Sequence, residues 1–580
     1  MQMPFKKFGI FFKNLFNISD QDDFKQVLRI RMFYREILRI IGLYLLLYAT
    51  ILLLPLLLAG YYQFIALPEM HPQPHATSAF FYTLIICLLL AGVCLSFARS
   101  AKKVLYRKEA LFTMVAIWFL TPLIGALPFL LNGTLSRFDQ AYLEATSSFS
   151  TAGASVLEAK KYDPETGVEM PWLKTYCDSN PIKYTYYGTI TPITDPYTGK
   201  KLEGLNAVSR AILFWRSFSQ WLGGIGIIVL FVAFLPTLGI GGKFLFQLEV
   251  SSHLKEGLTP RIQETALKLC EIYVGLTFAQ IMALLLTNKN MALFDATTLA
   301  FSTISNGGLS IHNENLAFYH QTWTEWVVVL FMWLGSLNFS LYYFILKGHL
   351  KRLYQPELIL YLAILVGFGL FVSWKLVGVK HFSLTNEDLG HYDVSSALKQ
   401  GFFQVISTQT STGFYITNYD TWPSIIKVLL LISAFIGGMS GSTAGGIKII
   451  RLQLLFQIVK NKIESIFMPQ TVKILRVGQK EIDQTTMLST LCYLLIAIVA
   501  CVVATFIYML DHLDTESAFT LAISMISNAG LGFQIHGPTG SLAFLSPFSA
   551  YFSSFLMILG RLEFYVVLAI LLPIFWRTRA

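Results

Sequence analysis

Apolar residues collect along the chain in blocks of about 20, the length that crosses a hydrocarbon core roughly 30 Å thick. About ten such blocks can be drawn: 38–64, 78–98, 111–131, 209–235, 265–287, 322–347, 357–378, 424–458, 485–510 and 548–575. Basic residues are unevenly shared among the connections. They gather in the first 40 residues, in the 99–108 loop (Arg99, Lys102, Lys103, Arg107, Lys108), near Lys243–Arg261, Lys347–Arg352 and Lys460–Lys480, and at Arg577 and Arg579. With alternating spans all of these fall on one side, which the positive-inside rule makes cytoplasmic. Both termini then lie inside and the number of spans is even. The first outer loop, PEMHPQPHA, carries no Lys or Arg.

A second pattern repeats within the blocks. SSFSTAGAS (147–155), STISNGGLS (302–310), STQTSTGFY (407–415) and SMISNAGLG (524–532) align on Gly153, Gly308, Gly413 and Gly530. Six residues before the glycine stands Ser147, Ser302, Ser407 or Ser524. Three before stands a hydroxyl: Ser150, Ser305, Thr410 or Ser527. Two before is polar (Thr151, Asn306, Ser411, Asn528), and one before is small or Thr (Ala152, Gly307, Thr412, Ala529). Each copy follows a short apolar stretch of helical character, near 139–149, 294–304, 395–406 and 515–526, and sits between two spans. The unit is span, short helix, glycine loop, span, written four times, a signature of internal repetition.

Non-helical backbone survives inside a bilayer only where protein or a watery cavity surrounds it. A ring of four loops that offers carbonyls to a desolvated cation is such a place. Glycine supplies the φ/ψ freedom that turns carbonyls toward an axis, and hydroxyl side chains brace the loop or add ligands. The twelve residues from Thr151 to Gly153, Asn306 to Gly308, Ser411 to Gly413 and Asn528 to Gly530 are therefore the candidate cation-binding filter.

With these motifs, the chain resembles the TrkH branch of the bacterial Trk/Ktr/HKT potassium-transporter superfamily over about 105–578. The further matching stretches are RSFSQWLGGIGIIVLFVAFLP (216–236), LGSLNFSLYY (334–343), GGMSGSTAGGIKIIR (437–451) and LGRLEFYVVL (559–568). The resemblance implies an all-α polytopic membrane protein, with four pseudo-symmetric M1–P–M2 repeats around one central pore and an added N-terminal helix pair. It implies K+ as the transported ion with no covalent cofactor, a homodimer, a cytoplasmic TrkA-like nucleotide-binding regulator, and a place in the bacterial plasma (inner) membrane. The expected division is a cytoplasmic amphipathic N-terminus (1–37), the helix pair (38–104), repeat one (105–240) with an outer insertion (157–207), repeat two (260–350), repeat three (355–465) and repeat four (480–580). The loops lack the TVGYG run of tetrameric potassium channels, which leaves fewer stacked ion sites, and Asn306 and Asn528 depart from the small or Thr residues of many family filters.

Two further features lie at membrane depth. The run at 437–451 interrupts a hydrophobic stretch with five glycines, each costing about 1 kcal/mol relative to Ala in a straight helix. A break or loop beneath the filter is expected, and in the family it matches the intramembrane gate: Gly437, Gly438, Gly441, Ser442, Thr443, Gly445, Gly446 and Lys448. A small-residue helix-packing face is the alternative. Lys448 and Arg451 belong to the gate or snorkel toward the cytoplasm. Arg561, in the last span beside Glu563, resembles the family's arginine below the filter, where it regulates ion occupancy or braces the gate; a structural ion pair is the bland reading.

Composition agrees and excludes. Of 580 residues 54% are apolar and 13% charged, and mean hydropathy is +0.57. The net charge of +10 orients the spans and suits anionic lipid headgroups; nucleic acid is not a needed partner. Six scattered cysteines form no CxxC pair, and Cys177 alone lies in a polar stretch. The insertion at 157–207, rich in Tyr, Pro and Lys, reads as an outer loop, with a small β-rich cap or a partner-binding loop as its expected forms. His312, His320 and His536 fall near the outer mouth, as surface histidines rather than proton carriers. HExxH, a nucleophile elbow and GxxxxGK[ST] are all missing, so the expectation is a potassium-uptake pore and no enzyme. A symporter coupling potassium or sodium to protons is the alternative.

Overall fold

The computed structural model describes residues 34–99, 101, 107–176, 182–226, 229, 262–349, 354–467, 476–477, 480–481, 484–538, 540–562 and 564–576. Most of the amphipathic N-terminus, Cys177, Glu563, the basic stretch Lys243–Arg261 and the Arg577 and Arg579 tail lie outside these residues.

Among the described residues six helices are long and apolar enough to cross a membrane: Tyr34–Phe64, Thr77–Phe97, Lys108–Leu131, Glu264–Thr287, Pro356–Leu376 and Thr486–Leu510. Two bent pairs, Thr322–Gly335 with Phe339–Leu346 and Pro547–Leu562 with Phe564–Leu571, raise the count to eight. The remaining two of the ten expected spans differ from expectation. Of 209–235 only Arg210–Ile225 is described as helix, with the rest mostly outside the described residues. The 424–458 stretch is two helices, Ser424–Ile436 and Ile449–Phe467. Between them Gly437, Gly441, Gly446 and Lys448 take φ of 73°, 74°, 75° and 80°, a left-handed backbone that no α-helix contains.

Four short helices, Phe138–Ser150, Leu293–Ile304, Val394–Gln409 and Thr515–Ser527, occupy the stretches expected from sequence. Asp393 and Asp514 start the last two as N-caps, accepting from the backbone N–H of Ser396 and Ser517 at 3.1 and 3.0 Å. Each short helix packs between the long helix before it and the helix after it. The following helix also packs on the short helix of the next unit: Arg210–Ile225 on Leu293–Ile304, Thr322–Gly335 on Val394–Gln409, and Ser424–Ile436 on Thr515–Ser527. Pro547–Leu562 then packs on Phe138–Ser150, so the ring closes.

The N-terminal pair is joined through small residues. Thr77–Phe97 buries Ala79, Thr83, Cys87 and Ala91 at four-residue spacing and packs on Tyr34–Phe64, while Leu88, Leu89 and Leu90 stay exposed on its outer side, as a lipid-facing helix requires. Trp215 fixes this pair to the ring. It is fully buried, meets Tyr48, Phe80 and Phe149 edge-on at 6.2, 6.1 and 5.9 Å, and donates Nε1–H to the Gly125 carbonyl at 3.1 Å.

The outer insertion folds as three antiparallel hairpins: Lys161–Tyr162 with Glu169–Met170, Trp172–Tyr176 with Ile182–Tyr186, and Ile193–Thr194 with Lys201–Leu202. The outer two turn through D-P-x-T-G, where Thr166 and Thr198 hydroxyls donate to Asp163 and Asp195 and Gly167 and Gly199 take φ of 66° and 65°. The middle hairpin is moored to the fourth unit: Tyr184 donates to the Asp514 carboxylate at 2.6 Å and accepts from the Asp514 N–H at 2.8 Å.

Replacing Trp215 by Ala removes a buried aromatic at the joint and is expected to cost about 3–5 kcal/mol. A lower unfolding temperature of the detergent-solubilised protein checks this; an unchanged one contradicts the packing role.

Candidate ion pathway

The four glycine loops share one backbone. Two residues before each glycine the chain is left-handed, at Thr151 (φ 58°), Asn306 (53°), Ser411 (55°) and Asn528 (50°), and it is left-handed again at Gly153 (73°), Gly308 (72°), Gly413 (83°) and Gly530 (59°). Strands place successive carbonyls on opposite sides; alternating the hand instead brings carbonyls of one loop toward one side. A left-handed β-branched residue such as Thr151 is strained by roughly 1–3 kcal/mol, and each loop offsets this with the same hydrogen bond. The N–H of Ala152, Gly307, Thr412 and Ala529 donates to the carbonyl of Ser147, Ser302, Ser407 and Ser524 at 2.9, 2.9, 2.8 and 3.1 Å. In the first and third loops Ser147 and Ser407 add a hydroxyl bond to the carbonyls of Ala154 and Phe414 at 2.5 and 2.6 Å.

The loops meet in cyclic order. A Cβ on Gly153 would lie 2.6 Å from the Gly307 carbonyl oxygen, and one on Gly308 would overlap the Thr412 oxygen. On Gly413 it would lie 2.9 Å from the Ala529 oxygen, and on Gly530 3.0 Å from the Ala152 oxygen. Each glycine thus bears the carbonyl of the next loop, and the fourth bears that of the first. All twelve candidate filter residues belong to these loops. The four glycines also line one cavity of ≈ 580 Å³, whose upper walls include Lys160, Tyr162 and Trp172 of the insertion.

The opposite side of the ring is closed by the glycine run. Thr443 donates its hydroxyl to the carbonyls of Ile304 and Gly335 at 3.1 and 2.9 Å. Gly446 N–H donates to Ser527 O at 3.0 Å, and Gly445 N–H to the Ser411 hydroxyl. The run therefore touches the second, third and fourth units. Arg561 supplies the first: its guanidinium donates to Thr443 O at 2.9 Å, Gly223 O at 2.6 Å, Gly224 O at 3.1 Å and the Thr151 hydroxyl at 3.4 Å. Gly437 and Gly438 form the upper end of the run, where Met439 N–H bonds Ser336 O at 3.2 Å. At the lower end Lys448 donates to Ala444 O, and Arg451 lies 3.8 Å from the Tyr493 ring. A cavity of ≈ 150 Å³ beneath is lined by Gly441, Ser442, Thr443, Asn528 and Arg561 among others.

Four polar side chains that brace this assembly were missed in the sequence. Glu144 and Arg216 form an ion pair at 2.6 Å, buried to 0% and 3% exposure. Glu144 also accepts from Val156 N–H at 2.8 Å, and Arg216 donates to Ser310 O at 2.6 Å, so the pair joins the first and second loops above the ring. Gln220 reaches Gly307 from behind, and Glu357 accepts from Ser440 N–H in the glycine run at 2.7 Å. The available signal was a charge inside a helical stretch at membrane depth, which needs a partner; Glu144 and Arg216 meet that description, whereas Glu357 stands in the first turn of its helix, where a carboxylate is ordinary.

The histidines separate. His320 is exposed, while His312 stacks on Phe318 at 3.6 Å between ring centroids and reaches Asp295 at 3.4 Å. His536 is partly exposed on the wall of the outer cavity, near the mouth as expected, with Nε2 3.2 Å from the Thr520 hydroxyl, and desolvation there pulls it from 6.5 down to about 4. An imidazole held that low is neutral through the physiological range.

Arg216→Ala leaves Glu144 buried without its partner and is expected to cost about 3–5 kcal/mol, while the paired change Arg216→Met with Glu144→Gln recovers most of that; unfolding temperatures in detergent report both. For His536 the unfolded chain takes up a proton near pH 6.5 and the folded chain only near 4. Stability therefore falls as pH drops through that window. The fall is expected to be shallower in His536→Gln, read as unfolding temperature against pH.

Comparison with known proteins shows the family. The family described as TrkH, cation transport protein, matches residues 198–574. The Trk system potassium uptake protein TrkH of Salmonella typhimurium is 30% identical, covering 94% of this chain and all of that one. The TrkH protein of the same title from Vibrio parahaemolyticus is 31% identical with the same coverage. The crystal structure of the potassium transporter TrkH from Vibrio parahaemolyticus superposes with a TM-score of 0.73 at 29% identity, covering 94% of this chain and 100% of that one. A helical membrane protein built on these motifs over this length belongs to the TrkH family of cation transport proteins.

Proposed function

We propose that this chain takes up potassium across the bacterial plasma (inner) membrane through a filter made by its four glycine loops. The cyclic arrangement of glycines against carbonyls carries the reading. Ala152, Gly307, Thr412 and Ala529 offer oxygens at one level, next to Gly153, Gly308, Gly413 and Gly530, and such a ring replaces a cation's hydration shell. The C-terminal ends of four helices precede the loops and add their negative dipole ends. Thr151, Asn306, Ser411 and Asn528 form the lower rim.

Residues 437–447 with Lys448 act as the gate, and Arg561 is its clasp. Thr443 and the backbone of Gly445 and Gly446 hold the run against the underside of the ring. Each such bond contributes about 1 kcal/mol net. Taking a gate from mostly shut to mostly open needs about 5.5 kcal/mol, a range that the binding of a partner supplies. The family resemblance supports a TrkA-like nucleotide-binding regulator in that role, assembly as a homodimer, and cytoplasmic termini. The division into a helix pair (38–104) and four repeats (105–240, 260–350, 355–465, 480–580) rests on the closed packing order of the helices.

Potassium flux in reconstituted vesicles tests the filter. Gly413→Ser forces a side chain against Ala529 O and Gly530 and is expected to reduce potassium-over-sodium preference by about tenfold or more; unchanged rate and preference overturn the reading. Thr443→Val removes the hydroxyl hydrogen shared between the Ile304 and Gly335 carbonyls and is expected to raise regulator-free flux by about 5–30-fold, the equivalent of 1–2 kcal/mol. No rise argues against the gate.

A further inference from the structure

One of the four ring carbonyls differs from the others. Gln220 is fully buried in the helix Arg210–Ile225, four residues after Arg216, and its side chain ends behind the second loop. Its Nε2 donates to Gly307 O at 2.6 Å, and its Oε1 accepts from Leu309 N–H at 3.3 Å. The second bond sets the orientation of the amide, because a backbone N–H needs an acceptor. Gly307 O has not left the ring: it bears on Gly153 as Thr412 O, Ala529 O and Ala152 O bear on the other glycines. Among the described residues, those three oxygens accept no hydrogen bond. Position 307 is also the place in its column where a Cβ would strike the amide, 2.5 Å from Gln220 Cδ, so the glycine and the glutamine require each other.

We propose that Gln220 is a specificity-determining positioning residue: its amide N–H occupies one lone pair of Gly307 O and weakens that corner of the ring. The inference rests on the filter reading above. An N–H dipole directed at the oxygen puts partial positive charge behind it, which lowers the field the ring presents to a cation. Field strength is one of the terms that sort potassium from sodium, and a stronger field favours the smaller, more strongly hydrated ion. Gln220 thus holds the ring on the weak-field side while its Oε1 fixes the loop at Leu309.

The field role and a purely structural role predict opposite orders. Gln220→Leu removes both bonds. Gln220→Glu keeps the acceptor for Leu309 N–H; protonated, it still donates to Gly307 O, and ionised at alkaline pH it replaces that donor with negative charge, so the ratio is read from neutral to alkaline pH. If Gln220 only braces the loop, Leu is the worse substitution. If it sets the field, ionised Glu is worse: the potassium-over-sodium ratio in proteoliposomes falls in Leu and falls further, by about tenfold, in ionised Glu. The half-saturating sodium concentration drops in the same order. Protein amount in the membrane is measured alongside. Should the Leu variant fail to assemble, Glu against wild type decides alone: a ratio equal to wild type from neutral to alkaline pH overturns the proposal, as does Leu worse than ionised Glu. Gly413→Ser is run in parallel: if it also leaves the ratio unchanged, the filter reading fails, whereas if it alone changes the ratio, only the role of Gln220 is lost.

Discussion

Four strands of backbone come closer together here than side chains permit. At Gly153, Gly308, Gly413 and Gly530 the carbonyl of the adjoining loop stands where a Cβ would be, and real Cβ atoms hardly ever approach another heavy atom that closely. This contact sets the positions of much else. The short helices must end at one level, since each loop leaves its helix through the same N–H to serine-carbonyl bond. The helices that follow must lean across to the next unit, which produces the closed order of packing. Oxygens drawn this near repel one another, so an assembly of this kind is best satisfied by a cation between them.

The ring and the glycine run beneath it are not independent parts. Thr443 bonds the end of the second short helix, Gly445 bonds the side chain of Ser411, and Gly446 bonds Ser527. Two of these three partners lie within three residues of a ring glycine. Displacing the run therefore exposes buried acceptors directly under the loops, each worth about 1–3 kcal/mol if left bare. Arg561 distributes one charge over carbonyls from the first unit and from the run. A charge so deep is tolerable because carbonyl and hydroxyl oxygens gather around the guanidinium.

The outer side is organised by different chemistry. Arg216 and Glu144 lock the first two loops with an ion pair, and Gln220, one turn further along the same helix, touches the ring itself. The insertion is tied down at Asp514 and at Glu158, which takes bonds from Tyr186 at 3.2 Å and from Ser541. It walls the cavity above the glycines without entering the ring.

Period and spacing were enough to read the four short helices and the glycine loops that follow them, because each depends on local backbone preferences that a sequence displays directly. The break at 437–448 was legible for the same reason: five glycines disfavour a helix whatever surrounds them. Number of continuous spans was less so, since the bend of 93° between Thr322–Gly335 and Phe339–Leu346 depends on Phe339 N–H finding Gly441 O at 3.0 Å, a partner more than a hundred residues away. The contact of His536 with the Thr520 hydroxyl was likewise invisible from its loop. Glu144, Arg216 and Gln220 carried only the signal of polarity at membrane depth. Which carbonyl, carboxylate or guanidinium each would meet is fixed by how the four units close on one another, and that closure is a property of the folded ring rather than of any segment in it.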